Sequence, residues 1–148
     1  MTVVLLDTNV LVYAFDRGEQ KKRELAMQLV LDLQQNAVGC LSVQSLSEFF
    51  HAVTRGTKPK LSVDEALQSV QEYLLAFPIY FLTPSVVLEA ARGVRDYSLS
   101  FYDAQLWALA LINDVPVIFS EDFQDGQVLE GIRFVNPFAK DFELEKWI

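Results

Sequence analysis

The chain has 148 residues, of which 51% are hydrophobic and 22% charged, and its formal net charge is −8. That balance excludes a disordered chain, and the length is that of one globular domain, residues 1–148, large enough to fold without a disulfide or a structural metal. The acidic excess argues against simple clamping of nucleic acid by a basic surface. It leaves open an enzyme that handles a short phosphate segment through metal ions. One cysteine, Cys40, excludes an internal disulfide and makes a reducing cytoplasm the simpler location.

In chain order, Val3-Val4-Leu5-Leu6 is a continuous run of branched residues, the pattern of a strand buried on both faces. The apolar opening from Val3 to Phe15 is broken by Asp7-Thr8-Asn9. It is too short to span a bilayer and lacks the flanks of a signal peptide. Residues 20–35 read as a helix with Leu25, Ala26, Leu29, Val30 and Leu33 on one face. A second strand follows at Val38–Leu41, then a helix over 43–54 with Val43, Leu46, Phe50 and Val53 as its apolar side. Ser62-Val63-Asp64-Glu65 is a capping box opening a helix that stops before Pro78.

A third strand is expected at Ile79–Leu82. Thr83-Pro84 is a helix N-cap with proline at the first helical position, and that helix runs to about Arg95. Residues 101–112 form a nearly all-apolar, hence buried, helix. Strands at Val115–Phe119 and Ile132–Val135 complete the set. Alternating strands and helices predict an α/β fold: a parallel sheet of about five strands with helices on both faces.

Several chemistries drop out. The single histidine, His51, reads as an exposed helix residue, and zinc lacks its usual ligands. Cys40 reads as a small core residue. Gly126 and Gly131 have phosphate-loop spacing, but Ile132 and Arg133 stand where such a loop needs Lys and Ser/Thr, so they read as loop glycines.

What remains is a set of carboxylates. Asp7 follows the first strand, at the strand end where α/β sheets bind ligands; it reads equally as the N-cap of the segment after it. Asp103 lies in the first turn of the most apolar helix, where a helix dipole alone would favour it. Asp122, with Asp125 nearby, follows the fourth strand. Glu48 falls roughly opposite the apolar side of its helix, which by itself indicates a solvated face. Together the carboxylates suit a hard, oxygen-seeking cation such as Mg²⁺ or Mn²⁺.

Over essentially its whole length the sequence resembles the PIN-domain family, and within it the toxin ribonucleases of bacterial toxin–antitoxin pairs (the VapC type). The resemblance rests on four stretches in order: Val3 to Leu11, Ser45-Leu46-Ser47-Glu48-Phe49, Ser100 to Ala110, and Ser120-Glu121-Asp122-Phe123. The ending Arg133 to Phe138 is also typical. It implies Asp7, Glu48, Asp103 and Asp122 as catalytic, metal-holding acids, with Asp125 a looser match. It further implies Asn9 as a polar helper and Ser120 as a hydroxyl that orients a carboxylate. The implied activity is metal-dependent hydrolysis of RNA phosphodiesters with Mg²⁺, or Mn²⁺ in its place. The implied partners are RNA, a cognate antitoxin and a second copy in a homodimer. The alternatives are a protein-binding module that cuts nothing and an RNA-processing nuclease without an antitoxin. Nine of the twelve basic residues fall in three groups: Arg17, Lys21, Lys22 and Arg23; Arg55, Lys58 and Lys60; Arg92 and Arg95. They read either as solvated helix ends or as a positive rim around an acidic pit.

Overall fold

The computed structural model describes residues 2–148. Its elements are β1 (Val4–Leu6), α1 (Thr8–Tyr13), α2 (Gln20–Gln35), β2 (Gly39–Ser42), α3 (Val43–Arg55), α4 (Val63–Ala76) and β3 (Ile79–Tyr80). They continue with α5 (Pro84–Tyr97), α6 (Phe101–Ile112), β4 (Val117–Phe119), β5 (Val128–Leu129), β6 (Ile132–Val135) and a 3₁₀ turn at Leu144–Lys146. The sheet order is β3-β2-β1-β4-β6-β5. Every pairing is parallel except β5 with β6.

The sheet is buried on both faces, as the unbroken apolar strands require. Val4, Leu6, Leu41, Val117 and Phe119 face one core, packed by α1–α4 and the C-terminal segment. Leu5, Cys40, Ile118 and Phe134 face the other, packed by α5 and α6. Cys40 is buried among apolar side chains, which pushes its thiol up to about 12. His51 is exposed, as expected.

Four expectations are corrected. The sheet has six strands, because the chain doubles back at Glu130-Gly131. Both residues have positive φ, 50° and 85°, the backbone of a tight two-residue hairpin turn. β4 starts at Val117, two residues late, since Pro116 has no N–H for a ladder. Leu25 is 51% exposed, so the buried stripe of α2 is Ala26, Leu29, Val30 and Leu33. In α3 the buried stripe is Ser45, Leu46, Phe49 and Val53, while Val43 is 41% exposed. That rotation of α3 decides where Glu48 points. Gly126, like Gly131, sits in a loop with positive φ (82°).

The order places β1 between β2 and β4. The chain leaves β1 toward β2 and returns to β4 only after α6, so the strand order reverses between β1 and β4. In open α/β sheets ligands bind in the crevice outside the carboxyl ends of the strands at such a point. Asp7 and Ser120 are the residues that directly follow those two strands.

Candidate active site

Asp7, Glu48, Asp103 and Asp122 line a single pit of about 100 Å³, together with Thr8, Asn9, Gln44, Ser45, Tyr102 and Leu106. The four acids come from four elements. Asp7 caps α1, accepting from the Thr8 N–H at 2.7 Å. Both sequence readings of Asp7 therefore hold together: it is the N-cap and it stands at the strand end. Asp103 lies in the first turn of α6, where the Ser100 cap accepts from the Asp103 N–H at 3.3 Å. Asp122 follows β4, and its N–H donates to Ser120 Oγ at 3.1 Å.

Glu48 reaches the pit because Gln44, Ser45 and Glu48 are spaced one helical turn apart along α3 and share a side. Its Oε2 accepts from Thr8 Oγ1 at 2.8 Å and its Oε1 from Gln44 Nε2 at 2.9 Å. The solvated face assigned from periodicity is thus the face that borders the pit. Thr8 went unnoticed in the sequence, although it sits between Asp7 and Asn9. Asp125 does not line the pit. Its Oδ1 accepts from the Asn136 N–H at 2.9 Å and ties the loop after β4 to the end of β6.

Ser120 organises the centre. Its hydroxyl donates to Asp7 Oδ2 at 2.7 Å and accepts from Asn9 Nδ2 at 3.2 Å. Asn9 Nδ2 also approaches Asp7 Oδ2, at 3.4 Å. Asn9 Oδ1 is buried and accepts no hydrogen bond.

The electrostatics follow from burial. Desolvation pushes the Asp7 carboxyl up to about 6, against the opposing bonds from Ser120 and Thr8; the charges of Asp122 and Asp103 raise it further. Asp103 is raised too, by burial first and then by Asp122 and Glu48, with the Ser100 bond opposing. No Lys or Arg lines the pit to offset four carboxylates. As the side chains stand, no three of the Asp, Glu, His or Cys groups among the described residues are arranged to hold one ion. The donor set is all oxygen, the charge is uncompensated and Asn9 Oδ1 is a spare acceptor, so the residues present fit a hard divalent cation.

Several of the grouped bases are engaged elsewhere than in the pit's lining. Lys22 pairs with Glu121 at 2.9 Å. Arg92 bridges Glu89 and Glu130, both at 2.7 Å, and Arg95 pairs with Asp96 at 2.7 Å. Arg17, Arg23 and Lys60 border a separate groove.

The family model of the PIN domain matches residues 4–124. The chain belongs to the PIN domain family. No curated protein matches it. Solved structures with the same PIN fold include a toxin–antitoxin complex from Klebsiella pneumoniae (TM-score 0.66, 19% identity, 91% of this chain and 98% of that one). Another is the Mycobacterium tuberculosis toxin VapC20, a sarcin–ricin loop cleaving toxin (TM-score 0.62, 15% identity, 80% and 89%). A third is the DNA-bound VapBC complex of Salmonella typhimurium (TM-score 0.62, 17% identity, 90% and 97%). Among the described residues, no helix is long and apolar enough to cross a membrane.

Proposed function

We propose that this PIN domain, a single unit over residues 1–148, is a metal-dependent endoribonuclease, the toxin of a toxin–antitoxin pair. The observation that carries the reading is the convergence of Asp7, Glu48, Asp103 and Asp122 on one pit at the point where strand order reverses. In this reading the four acids hold Mg²⁺, or Mn²⁺ in its place. When bound, the ions neutralise the phosphodiester's charge and make water a competent nucleophile near neutral pH. The chain's own residues do the positioning. Ser120 holds one oxygen of Asp7, Thr8 holds one oxygen of Glu48, and Asn9 fixes the Ser120 hydroxyl. Asp7, raised to about 6, is mostly ionised at neutral pH and takes up its proton as pH falls through 6, so metal binding there would weaken toward acid pH.

Cleavage is expected to require Mg²⁺ or Mn²⁺ and to leave 5′-phosphate and 3′-hydroxyl ends. The check is end-mapping of a structured RNA panel incubated with either ion or with EDTA. A 2′,3′-cyclic phosphate formed in EDTA would overturn the reading.

The antitoxin partner draws support from a groove of about 640 Å³ beside α2 and α4, lined by Phe15, Met27, Val30, Leu31, Leu61 and Tyr73 and bordered by Arg17, Arg23 and Lys60. An apolar floor whose border carries three bases against one acid, Glu65, suits an amphipathic helix carrying acidic side chains. Met27 and Leu31 are 47% and 46% exposed, so replacing them costs the fold little. The Met27→Glu, Leu31→Glu double variant is expected to lose co-purification with the product of the adjacent reading frame, with its melting temperature and RNA cleavage unchanged. Retained co-purification would remove the groove from the antitoxin interface.

A further inference from the structure

We propose that Lys22, Tyr13 and Glu121 form a brace that positions Asp122 and Ser120 for the acidic pit. This inference rests on the nuclease reading of that pit. The three residues come from separate places: Tyr13 ends α1, Lys22 is in the first turn of α2, and Glu121 lies in the segment leaving β4. Glu121 accepts from the Tyr13 hydroxyl through Oε1 and from Lys22 Nζ through Oε2, the latter at 2.9 Å. Lys22 Nζ also lies over the Tyr13 ring, 4.8 Å from its centroid, and 5.8 Å from that of Phe138. The Tyr13 and Phe138 rings meet edge to face at 5.1 Å. The ammonium is thus held by a carboxylate, a hydroxyl and two aromatic faces.

Glu121 sits between the two residues that matter to the pit. On one side Ser120 bonds Asp7 and Asn9; on the other Asp122 presents its carboxylate. The short segment is held from one side by Ser120's bonds to Asp7 and Asn9, and from the other by the brace. Asp122 has no side-chain hydrogen bond of its own among the described residues, and its N–H to Ser120 Oγ is the bond that orients it. The aim of its carboxylate therefore depends on the backbone of residues 120–122.

An ion pair this accessible, with side chains 35% and 21% exposed, adds little to folding. The same contact can still matter at the site, because supporting residues around metal ligands typically shift metal affinity or activity ~10–100-fold. The assignment also takes Lys22 out of RNA contact, since its charge is already engaged.

The test uses the full chain. Lys22→Met, Glu121→Gln, their combination and Lys22→Arg are compared with wild type. Mn²⁺ affinity is measured without RNA, together with kcat and KM for an RNA oligonucleotide and amide exchange at Ser120 and Asp122. Lys22→Met is expected to weaken Mn²⁺ binding and lower kcat, each about tenfold, with KM within about twofold. Exchange at the two amides should quicken while the melting temperature barely moves. Lys22→Arg should recover most of both losses, and the combined variant should be no worse than either single one. Unchanged Mn²⁺ affinity and exchange with a raised KM and a flatter salt dependence would assign Lys22 to the RNA backbone instead. A lowered melting temperature with Mn²⁺ affinity intact would make the contact purely structural. Wild type that neither binds Mn²⁺ nor cleaves RNA would sink the nuclease reading itself, whereas failure of the brace leaves wild-type cleavage in place.

Discussion

Asp7→Asn is expected to abolish RNA cleavage and at the same time to raise the melting temperature of the metal-free protein at pH 7. The Asp7 carboxyl stands at about 6 in the folded chain against an ordinary 3.8, with burial as the first cause. A folded-state value above the unfolded one means that the folded chain holds the proton more tightly. Below 3.8 the carboxyl is neutral in both states and costs nothing. As pH rises from 3.8 to 6 the unfolded chain ionises first, and stability falls. By pH 7 the loss from this one group reaches about 3 kcal/mol.

Asparagine carries no charge, so that cost disappears. It keeps an oxygen for the Thr8 N–H, so the α1 cap survives. It disturbs the contacts from Ser120 and Asn9, an offset of about 1 kcal/mol. The net gain is about 1–2 kcal/mol, or roughly 3–6 °C in a chain of this size. The gain should vanish near pH ~4.5, where the relieved cost equals the offset, and turn into a small loss below it. Asp103→Asn should move stability in the same direction, since burial and its acidic neighbours raise that group too. Wild type should gain melting temperature on adding Mn²⁺, and Asp7→Asn should lose that gain. Melting curves across pH 4–8, with and without Mn²⁺, check all of this. A variant that melts lower at every pH and keeps the full Mn²⁺ response would reduce Asp7 to a helix cap.

Trp107→Ala is expected to cost about 3–5 kcal/mol, the upper range for removing a large buried side chain. Trp107 is fully buried, and its indole N–H donates to the Leu129 carbonyl at 3.2 Å. Tyr97 meets the ring edge to face at 5.7 Å, and the Arg92 guanidinium lies 5.3 Å from its centroid. Gly93 on α5 makes room for it: a Cβ there would come within 2.8 Å of the ring. One side chain thus locks α5, α6 and the β5–β6 hairpin together. Trp107 stands four residues after Asp103, one turn along the same helix, so this seam also anchors the helix that delivers Asp103. The melting temperature should fall by roughly 10 °C. Trp107→Phe should fall between, because it fills most of the volume but loses the hydrogen bond to the Leu129 carbonyl. A loss under about 1 kcal/mol for the alanine variant would mean that the seam is not what holds α5 to α6.

Most of the architecture was legible in the chain because its signals are local. Continuous branched runs marked β1 and β4, Thr83-Pro84 and the Ser62–Glu65 box marked helix starts, and the apolar run 101–112 marked the buried helix. Those features depend on φ/ψ preference and burial within a few residues. The two-residue strand β5 escaped because Val128-Leu129 is too short to carry a period; its turn makes it a strand.

The acids were legible as residue types next to strand ends and helix starts, and as motifs of the family. Their meeting was not. Asp7 and Asp103 are brought together only because β1 and β4 pair in parallel and α6 crosses back over the sheet. Glu48 looked like a solvent-facing residue because periodicity reports which side of a helix is apolar, not what lies beside its polar side. The small rotation that buries Phe49 in place of Phe50 turns Gln44, Ser45 and Glu48 toward the pit. The same limit applies to charge. Lys22, Arg92 and Arg95 look alike in sequence to bases that could track a phosphate backbone. Only the fold shows that each already faces a carboxylate: Glu121, 99 positions from Lys22, Glu130, 38 positions from Arg92, and the adjacent Asp96 for Arg95. Sequence alone determined most of the elements, β5 excepted, and the family of this protein, because those rest on short-range preferences and on motif order. The tertiary structure decided which carboxylates share a pit and that Lys22 and Arg92 are spent on Glu121 and Glu130, because these depend on side chains far apart in the chain and close in space.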